Sequence, residues 1–219
     1  MVKIFIIGSS SKLARKFIFQ HKLQNVSFFC SYNKNNRFKL LTKKKFKEKS
    51  IYNLVKIDLT NYLDIKKISK NIINFKPDII INFSSKLSKR KSIKKNNFKN
   101  LFQSFNVNFF SQFNLYSNIC DKLNNMAKKT LIINISSKVI TNGGYKLYDY
   151  STSKAATANL LKCLSREFKK IKFINLVMPS VKEKHGKNSV SLKKFVNKLS
   201  HIIKYKNKLK NYKTEMIKL

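Results

Sequence analysis

Short apolar runs alternate with longer amphipathic segments along almost the whole chain, and this alternation restricts the fold more than any other feature. Short runs rich in Ile, Val and Phe are typical of buried strands, and the amphipathic segments between them have the length and periodicity of helices. Strands that alternate with helices form βαβ units around a parallel sheet. The sequence therefore predicts an α/β fold, a doubly wound parallel sheet with helices on both faces.

The predicted elements leave no room for a linker or an internal repeat. We expect strands at Val2–Ile7, Val26–Ser31, Leu54–Asp58, Asp78–Phe83, Thr130–Ile135 and Ile171–Val177. We expect helices at Lys12–Gln20, Leu63–Asn74, Asn97–Leu123, Tyr150–Phe168 and Ser191–Tyr205. The end of the chain, Thr214–Leu219, is compatible with a short last strand. Because 219 residues suit one large domain, we expect residues 1–219 to form a single domain.

The charge of the chain is extreme, with 48 Lys and Arg against nine Asp and Glu and a net charge of +39. Such a balance is typical of proteins that bind nucleic acids. However, only four of these cations are arginine, the residue preferred for bidentate phosphate and base contacts, and the lysines are spread over the whole chain. We interpret the charge mainly as a compositional bias of a solvated surface, and a basic nucleic-acid-binding protein stays open as an alternative.

The chain shows no sign of a metal site, a secretory leader or a membrane span. Its cysteines and histidines lie far apart without metal-ligand spacing; they are Cys30, Cys120, Cys163, His21, His185 and His201. The opening run Val2–Ile7 is too short for a signal core, and no apolar stretch approaches the ~20 residues of a membrane helix. We therefore expect reduced thiols in a cytoplasmic protein, no metal and no membrane partner.

Two local motifs suggest chemistry, although each is weak by itself. The first predicted strand runs into Gly8-Ser9-Ser10-Ser11-Lys12-Leu13-Ala14 and then into a helix. Such a turn directs backbone N–H groups and the helix dipole towards a bound phosphate. With a single glycine it is also compatible with an ordinary strand-to-helix turn.

The second motif is Tyr150-x-x-x-Lys154, whose setting separates it from chance pairs in a lysine-rich chain. The same spacing occurs at Tyr52/Lys56 and Tyr62/Lys66. Only Tyr150 has a serine, Ser137, thirteen residues earlier at the end of a predicted strand. A tyrosine and a lysine four residues apart share one face of a helix, and a nearby ammonium lowers the pKa of a phenol. The pattern indicates a tyrosine that works as a general acid and base.

In this order, the motifs resemble those of the short-chain dehydrogenase/reductase family of NAD(P)-dependent Rossmann enzymes, over nearly the whole chain. The resembling segments are the glycine loop Gly8–Ala14, Ile57–Thr60 with the adenine-facing Asp58, Ile81–Ser84 at a strand end, Val107–Ser111 with the active-site Asn108, and Ser137 with Tyr150 and Lys154. The resemblance implies the sheet order 3-2-1-4-5-6 with helices on both faces. It also implies hydride transfer between a nicotinamide and a carbonyl compound or a secondary alcohol.

The resemblance assigns roles to individual residues. The implied catalytic residues are Asn108, Ser137, Tyr150 and Lys154. The implied cofactor-binding residues are Gly8, Ser10, Ser11, Lys12, Leu13, Asp58, Leu59, Asn82, Phe83, Ser84, Tyr150, Lys154 and Pro179. In these roles Ser137 would orient the substrate, Lys154 would bind the nicotinamide ribose and Asn108 would support a water relay.

Several positions depart from the family pattern. Lys12 and Ala14 stand where the second and third loop glycines are expected, and Ser84-Ser85 stands in place of Ala-Gly. Ser180 follows Pro179 where the family has glycine. A cofactor-binding scaffold without turnover therefore stays open as a second alternative.

Cofactor preference and substrate charge can be predicted only coarsely. After the second predicted strand the sequence reads Ser31-Tyr32-Asn33-Lys34, with no acid to bind a ribose 2′-hydroxyl. With Lys12 and Lys34 near, we favour NADP over NAD. Lys12 and Lys154 also predict an electropositive mouth that suits an anionic substrate. The specificity loop implied by the resemblance, residues 180–189, contains no diagnostic residue.

The resemblance also implies a homodimer or homotetramer formed through the helices around residues 97–123 and 150–168. An aromatic stripe follows helical spacing in the first of these segments; it consists of Phe98, Phe102, Phe105, Phe109, Phe113 and Tyr116. We interpret most of this stripe as core and the remainder as a part of the interface.

Overall fold

The computed structural model describes residues 1–33, 51–95, 97–182, 189–209 and 212–216. The strands are β1 Val2–Ile7, β2 Val26–Tyr32, β3 Ile51–Lys56, β4 Ile79–Asn82, β5 Thr130–Ser137, β6 Ile171–Met178, β7 Ser180–Lys182, β8 Ser189–Ser191 and β9 Tyr212–Met216. The α-helices are α1 Lys12–Gln20, α2 Tyr62–Phe75, α3 Phe98–Phe105, α4 Ser111–Asn124, α5 Val139–Asn142, α6 Tyr148–Glu167 and α7 Leu192–Lys204.

Seven of the strands form one sheet in the order β3-β2-β1-β4-β5-β6-β9. Every pairing in it is parallel. The predicted α/β fold and the order 3-2-1-4-5-6 are confirmed, and so is a short last strand, which begins at Tyr212 instead of Thr214. β7 and β8 pair with each other in a separate small sheet.

Both faces of the sheet are buried, as expected for a parallel sheet covered by helices on each side. Ile4 and Ile6 of β1 belong to a core cluster with residues of α1 and α7. Phe5 and Ile7 point to the opposite face and belong to a cluster with residues of α2, α4 and α6. This double burial explains why the strand sequences are continuous apolar runs.

The predicted helix Asn97–Leu123 is interrupted. α3 and α4 are joined by a π-helical turn, Asn106–Phe110. Such a turn holds an extra residue, so side chains at regular helical spacing do not stay on one face across it. The expectation that most of the aromatic stripe is core was wrong: Tyr116 is buried and Phe105 and Phe109 are half-buried, but Phe98, Phe102 and Phe113 are exposed.

The turn after β1 passes very close to the end of β4. Gly8 has a φ of +73°, and a Cβ atom there would lie 2.8 Å from the main-chain nitrogen of Ser84. A side chain at this position would therefore both strain the backbone and collide with main-chain atoms that cannot rotate away. Glycine is required here because β1 and β4 are adjacent strands whose ends converge.

We expect Gly8→Ala to lower the free energy of unfolding by roughly 2–4 kcal/mol, from the left-handed conformation together with the collision. Gly143→Ala is a matched control, because Gly143 has a φ of +66° but a Cβ atom added there would meet nothing within 4 Å. That control measures backbone strain alone, because a φ of +66° with a ψ of 170° is a conformation adopted almost only by glycine, and it should cost about 1–3 kcal/mol without the added collision. Urea unfolding of both variants measures the difference, and equal losses would contradict the close approach.

Candidate active site

The carboxyl ends of the central strands form one edge of the sheet, and two adjoining cavities lie there. The first has a volume of about 650 Å³ and the second about 730 Å³. They share three lining residues, Ser11, Phe83 and Ser85. The position lies beside β1, where the strand order reverses direction, which is the usual place for a ligand in an open α/β sheet.

Turns after four strands and one helix build the first cavity. Its lining residues are Gly8, Ser10, Ser11, Ser31, Tyr32, Asn33, Ile57, Asp58, Leu59, Thr60, Phe83, Ser84, Ser85, Lys86, Gln103, Asn106 and Val107. Seven of the predicted cofactor-binding residues are among them: Gly8, Ser10, Ser11, Asp58, Leu59, Phe83 and Ser84. The sequence-predicted Asn82 is buried directly before this wall, and its Oδ1 accepts hydrogen bonds from the Ser84 N–H at 2.9 Å and from its hydroxyl at 2.6 Å.

Hydrogen bonds fix the turn that follows β1. Ser9 is fully buried, and both its N–H and its hydroxyl donate to the Ser31 carbonyl, at 2.8 and 2.7 Å. Ser11 is the N-cap of α1, since its Oγ accepts from the Ala14 N–H at 3.2 Å. Ser9 was not singled out from the sequence, because its partner lies on another strand.

The second cavity collects most of the predicted catalytic residues. Ser137, Tyr150 and Lys154 line it together with the predicted cofactor residues Lys12, Leu13 and Pro179. Its charged lining residues, within the described ranges, are Lys12, Lys138 and Lys154. Lys12 belongs to this cavity and not to the lining of the first. Lys34 and most of the predicted specificity loop, residues 183–188, lie outside the described residues.

Lys154 is buried beneath the second cavity. Only 1% of its surface is exposed, and Nζ donates to the Ile135 carbonyl at 3.3 Å. Burial lowers the pKa of this ammonium to about 8, because transfer out of water disfavours the charged form. At a pH of about 8, the charged and neutral forms of the Lys154 side chain are therefore equally populated.

The expectation that Lys154 lowers the pKa of Tyr150 was wrong for the free protein. Burial of the phenol raises its pKa, and hydrogen bonding with the side chains of Ser85 and Ser137 partly counteracts this. The desolvation of the hydroxyl outweighs both serines. Ser85 is thus a site residue that the sequence showed only as a departure from a pattern.

Asn108, the fourth predicted catalytic residue, lies in the π-helical turn, is fully buried and does not line either cavity. Its side chain holds the main chain of Lys86, accepting from the N–H at 2.7 Å and donating to the carbonyl at 3.1 Å. Its own carbonyl accepts from Gln112 Nε2 at 3.0 Å and from Thr157 Oγ1 at 2.7 Å. Asn108 therefore connects α4, α6 and the wall of the first cavity.

No helix in the described ranges combines the length and the apolar character needed to cross a bilayer.

The chain resembles known proteins in family pattern and in fold. A family model described as short chain dehydrogenase matches residues 3–191. A short chain dehydrogenase from Mycobacterium smegmatis superposes with a TM-score of 0.85 at 9% identity, covering 100% of this chain and 92% of the other. No curated protein matches the chain in sequence.

Two further structures are similar at comparable levels. A bulky-bulky ketone specific alcohol dehydrogenase from Comamonas testosteroni has a TM-score of 0.82 at 15% identity, covering 100% of this chain and 87% of the other. An NADPH-bound carbonyl reductase from chicken fatty liver has a TM-score of 0.76 at 19% identity, covering 89% of this chain and 84% of the other. At these identities the superpositions establish the fold.

Lys154 should make stability depend on pH. Between the pKa of about 8 in the folded protein and the ordinary 10.5, the unfolded chain holds a proton that the folded chain has released. Stability therefore rises with pH across this window, by about 3 kcal/mol in total at roughly 1.4 kcal/mol per pKa unit. Lys154→Met removes the buried ammonium, so this variant should be the more stable protein below pH 8, with an advantage that shrinks towards pH 10.5.

Denaturant unfolding across this pH range measures the effect. Lys162→Met is the matched control, because Lys162 is an exposed lysine on the same helix, and it should keep the pH slope of the original protein. A stability difference between Lys154→Met and the original protein that stays constant with pH would contradict a charged, buried Lys154.

Proposed function

The chain belongs to the short-chain dehydrogenase family, and we propose that it is an NAD(P)-dependent oxidoreductase. The proposed reaction transfers a hydride between the nicotinamide and a carbonyl compound or secondary alcohol. The observation that carries the proposal is that Ser137, Tyr150 and Lys154 line one cavity that adjoins a second at the strand-order reversal. We propose that residues 1–219 act as one domain that carries both the cofactor and the substrate site.

The residues present fit a dinucleotide. The turn at residues 8–11 leads into the N-terminus of α1, which favours a phosphate group. The absence of a Cβ at Gly8 lets this turn lie against Ser84. We propose that Gly8, Ser10, Ser11, Asp58, Leu59, Asn82, Phe83 and Ser84 hold the adenosine half, and that Lys12, Leu13, Pro179, Tyr150 and Lys154 hold the nicotinamide half. The cofactor supplies the hydride, and the protein supplies orientation and proton transfer.

Tyr150 is the proposed proton donor in carbonyl reduction and the acceptor in the reverse reaction. It lines the second cavity together with Ser85 and Ser137, so a substrate oxygen that joins this group of hydroxyls can receive a proton through a short path. Ser137 would orient that oxygen. Lys154 lies one helical turn from Tyr150 on α6, where we propose that it binds the nicotinamide ribose. Asn108 supports the site through Lys86 and α6, and its proposed contribution to a water relay rests on the resemblance.

The preference for NADP rests on the end of β2. Ser31, Tyr32 and Asn33 line the first cavity and supply no carboxylate there, so a 2′-phosphate meets no repulsion from this turn. The three lysines of the second cavity suit an anionic substrate in the same way. The three cysteines are free, which suits the reducing cytoplasm in which we propose that the protein works.

Tyr150→Phe tests the reaction. NADPH oxidation followed by absorbance over a panel of ketones and aldehydes should show kcat lowered by roughly 10²–10⁴-fold, because the proton donor is removed. NADPH affinity should fall by no more than the loss of one hydrogen bond allows, about tenfold. NADPH should also bind more tightly than NADH to the original protein.

Tyr148→Phe is the matched control, since Tyr148 is an exposed tyrosine on the same helix, and it should turn over normally. NADPH binding without any turnover would favour the scaffold alternative. Stabilisation by a short RNA and not by NADPH, lost steeply with added salt, would favour the nucleic-acid alternative.

We propose that the protein is a homodimer or homotetramer formed through the α3–α4 helix and α6. Four large aromatic side chains on that helix are at least one-third exposed: Phe98, Phe102, Phe110 and Phe113. Phe102 contacts both Phe98 and Phe110, with ring centroids 6.1 and 6.2 Å apart. A contiguous exposed aromatic patch of this kind is typical of an interface.

The patch predicts the oligomeric state of a double variant. Phe102→Ser combined with Phe113→Ser should give a monomer in sedimentation velocity, because both rings leave the proposed contact, and should leave the fold intact, because both rings are exposed. Leu63→Ser, which removes an exposed leucine from α2, should leave the assembly unchanged. An unaltered assembly in the double variant would contradict this interface.

A further inference from the structure

A buried carboxylate stands directly before the proposed catalytic tyrosine. Asp149 lies in the first turn of α6 and is 2% exposed. Its Oδ2 accepts hydrogen bonds from the hydroxyls of Ser88 and of Ser104, the latter at 2.8 Å. Burial of a carboxylate is costly unless hydrogen bonds compensate for the lost water, so this acid is held in place by specific partners.

The two serines belong to different elements. Ser88 lies in the segment that follows β4, residues 83–92, which we call the β4 segment. Ser104 lies in α3, and the two hydroxyls are also 2.8 Å from each other. Asp149 therefore joins the start of α6 to α3 and to the β4 segment.

The β4 segment carries part of the wall of both cavities. Ser84, Ser85 and Lys86 line the first cavity, and Ser85 and Leu87 line the second. Ser85 also lines the second cavity together with Tyr150. The placement of this segment thus affects the proposed cofactor site and the proposed proton donor together.

Further ties hold the same segment, among them a hydrogen bond from Lys86 Nζ to Gln103 Oε1 of α3 at 2.6 Å. Asn108 binds the main chain of Lys86, and the Lys91 N–H donates to the Lys146 carbonyl at 3.0 Å. The tie at Ser88 lies between them and is made by side chains alone. Its acceptor is a carboxylate, which forms stronger hydrogen bonds than a neutral group and is favoured at a helix N-terminus.

We propose that Asp149 is a positioning residue that fixes the β4 segment against α6 and so holds Ser85 in the wall of the second cavity, beside Tyr150. This inference rests on the proposed function for its effect on turnover, but its structural half does not. Asp149 does not line the first or the second cavity. Its proposed effect on Ser85 therefore passes through Ser88. A neutral acceptor of the same shape should preserve the tie, whereas removal of the acceptor should release it.

Hydrogen exchange of the free protein tests the structural half. In Asp149→Ala the amides of Lys86 and Lys91 should exchange about tenfold faster or more, since hydrogen bonds to a charged acceptor are lost. Amides of residues 65–72 in α2 should exchange as before. Asp149→Asn should restore most of the protection, and Asp121→Ala, which removes an exposed acid from α4, should change neither region. Unchanged exchange in the β4 segment, or equal acceleration everywhere, would overturn the proposal.

A double-mutant cycle tests the connection to Tyr150. Asp149→Ala and Ser85→Ala should each lower kcat by about tenfold, the loss expected for one well-placed hydrogen bond. Together they should lower it no further than either alone, because in this proposal Asp149 acts only through the placement of Ser85. Multiplied losses would show that Asp149 does not act through Ser85. Absence of turnover in the original protein would instead refute the proposed function and leave the exchange result to decide on Asp149.

Discussion

The contact between the turn after β1 and the end of β4 is the constraint on which the rest of the site depends. Gly8 lies so close to the main chain of Ser84 that no Cβ fits between them. Because β1 pairs with β2 on one side and with β4 on the other, this contact forms where the strand order reverses. It brings the turn at the N-terminus of α1 and the β4 segment together as the two walls of a single cleft.

Desolvation is the dominant electrostatic effect at the base of this cleft. It lowers the pKa of Lys154 and raises that of Tyr150, so in the free protein both side chains are moved towards their neutral forms. Serine hydroxyls, and not the ammonium, counteract this at Tyr150. For the proposed reaction this means that a proton could be transferred without first removing a hydration shell, and the negative charge of the proposed dinucleotide would favour the protonated form of Lys154.

The parts of the fold and of the candidate site that depend on neighbouring residues in the chain could be predicted from the sequence. That Ser137, Tyr150 and Lys154 lie together could be predicted, because a strand end and one helical turn fix their relative positions. The three residues line one cavity. Three features could not be predicted: the helix interruption at Asn106–Phe110, the ties from Asn108 to Lys86 and Thr157, and the position of Ser85 in one cavity wall with Tyr150. Each depends on residues more than twenty positions apart or on a helical register that no local pattern records. The prediction that the Tyr150 pKa is lowered was wrong for a related reason. Spacing on a helix shows that two groups are near each other, but it does not show how deeply each group is buried.

The lysine-rich composition shows where the fold requires a particular residue. Asn25, Lys76 and Lys146 all adopt positive φ angles, between 50° and 56°, at a cost of about 1 kcal/mol each where glycine would have none. The chain accepts lysine at two of these positions and bears the cost in backbone conformation. At Gly8 the requirement is space as well as φ, and glycine is present. The same distinction applies to lysine itself: most lysines with a described environment lie at least partly in solvent, whereas Lys154 is buried beside Tyr150. A biased composition therefore changes positions that are restricted only by backbone conformation. Residues that are restricted by close packing, such as Gly8, or that are buried at the candidate site, such as Lys154, differ from this background.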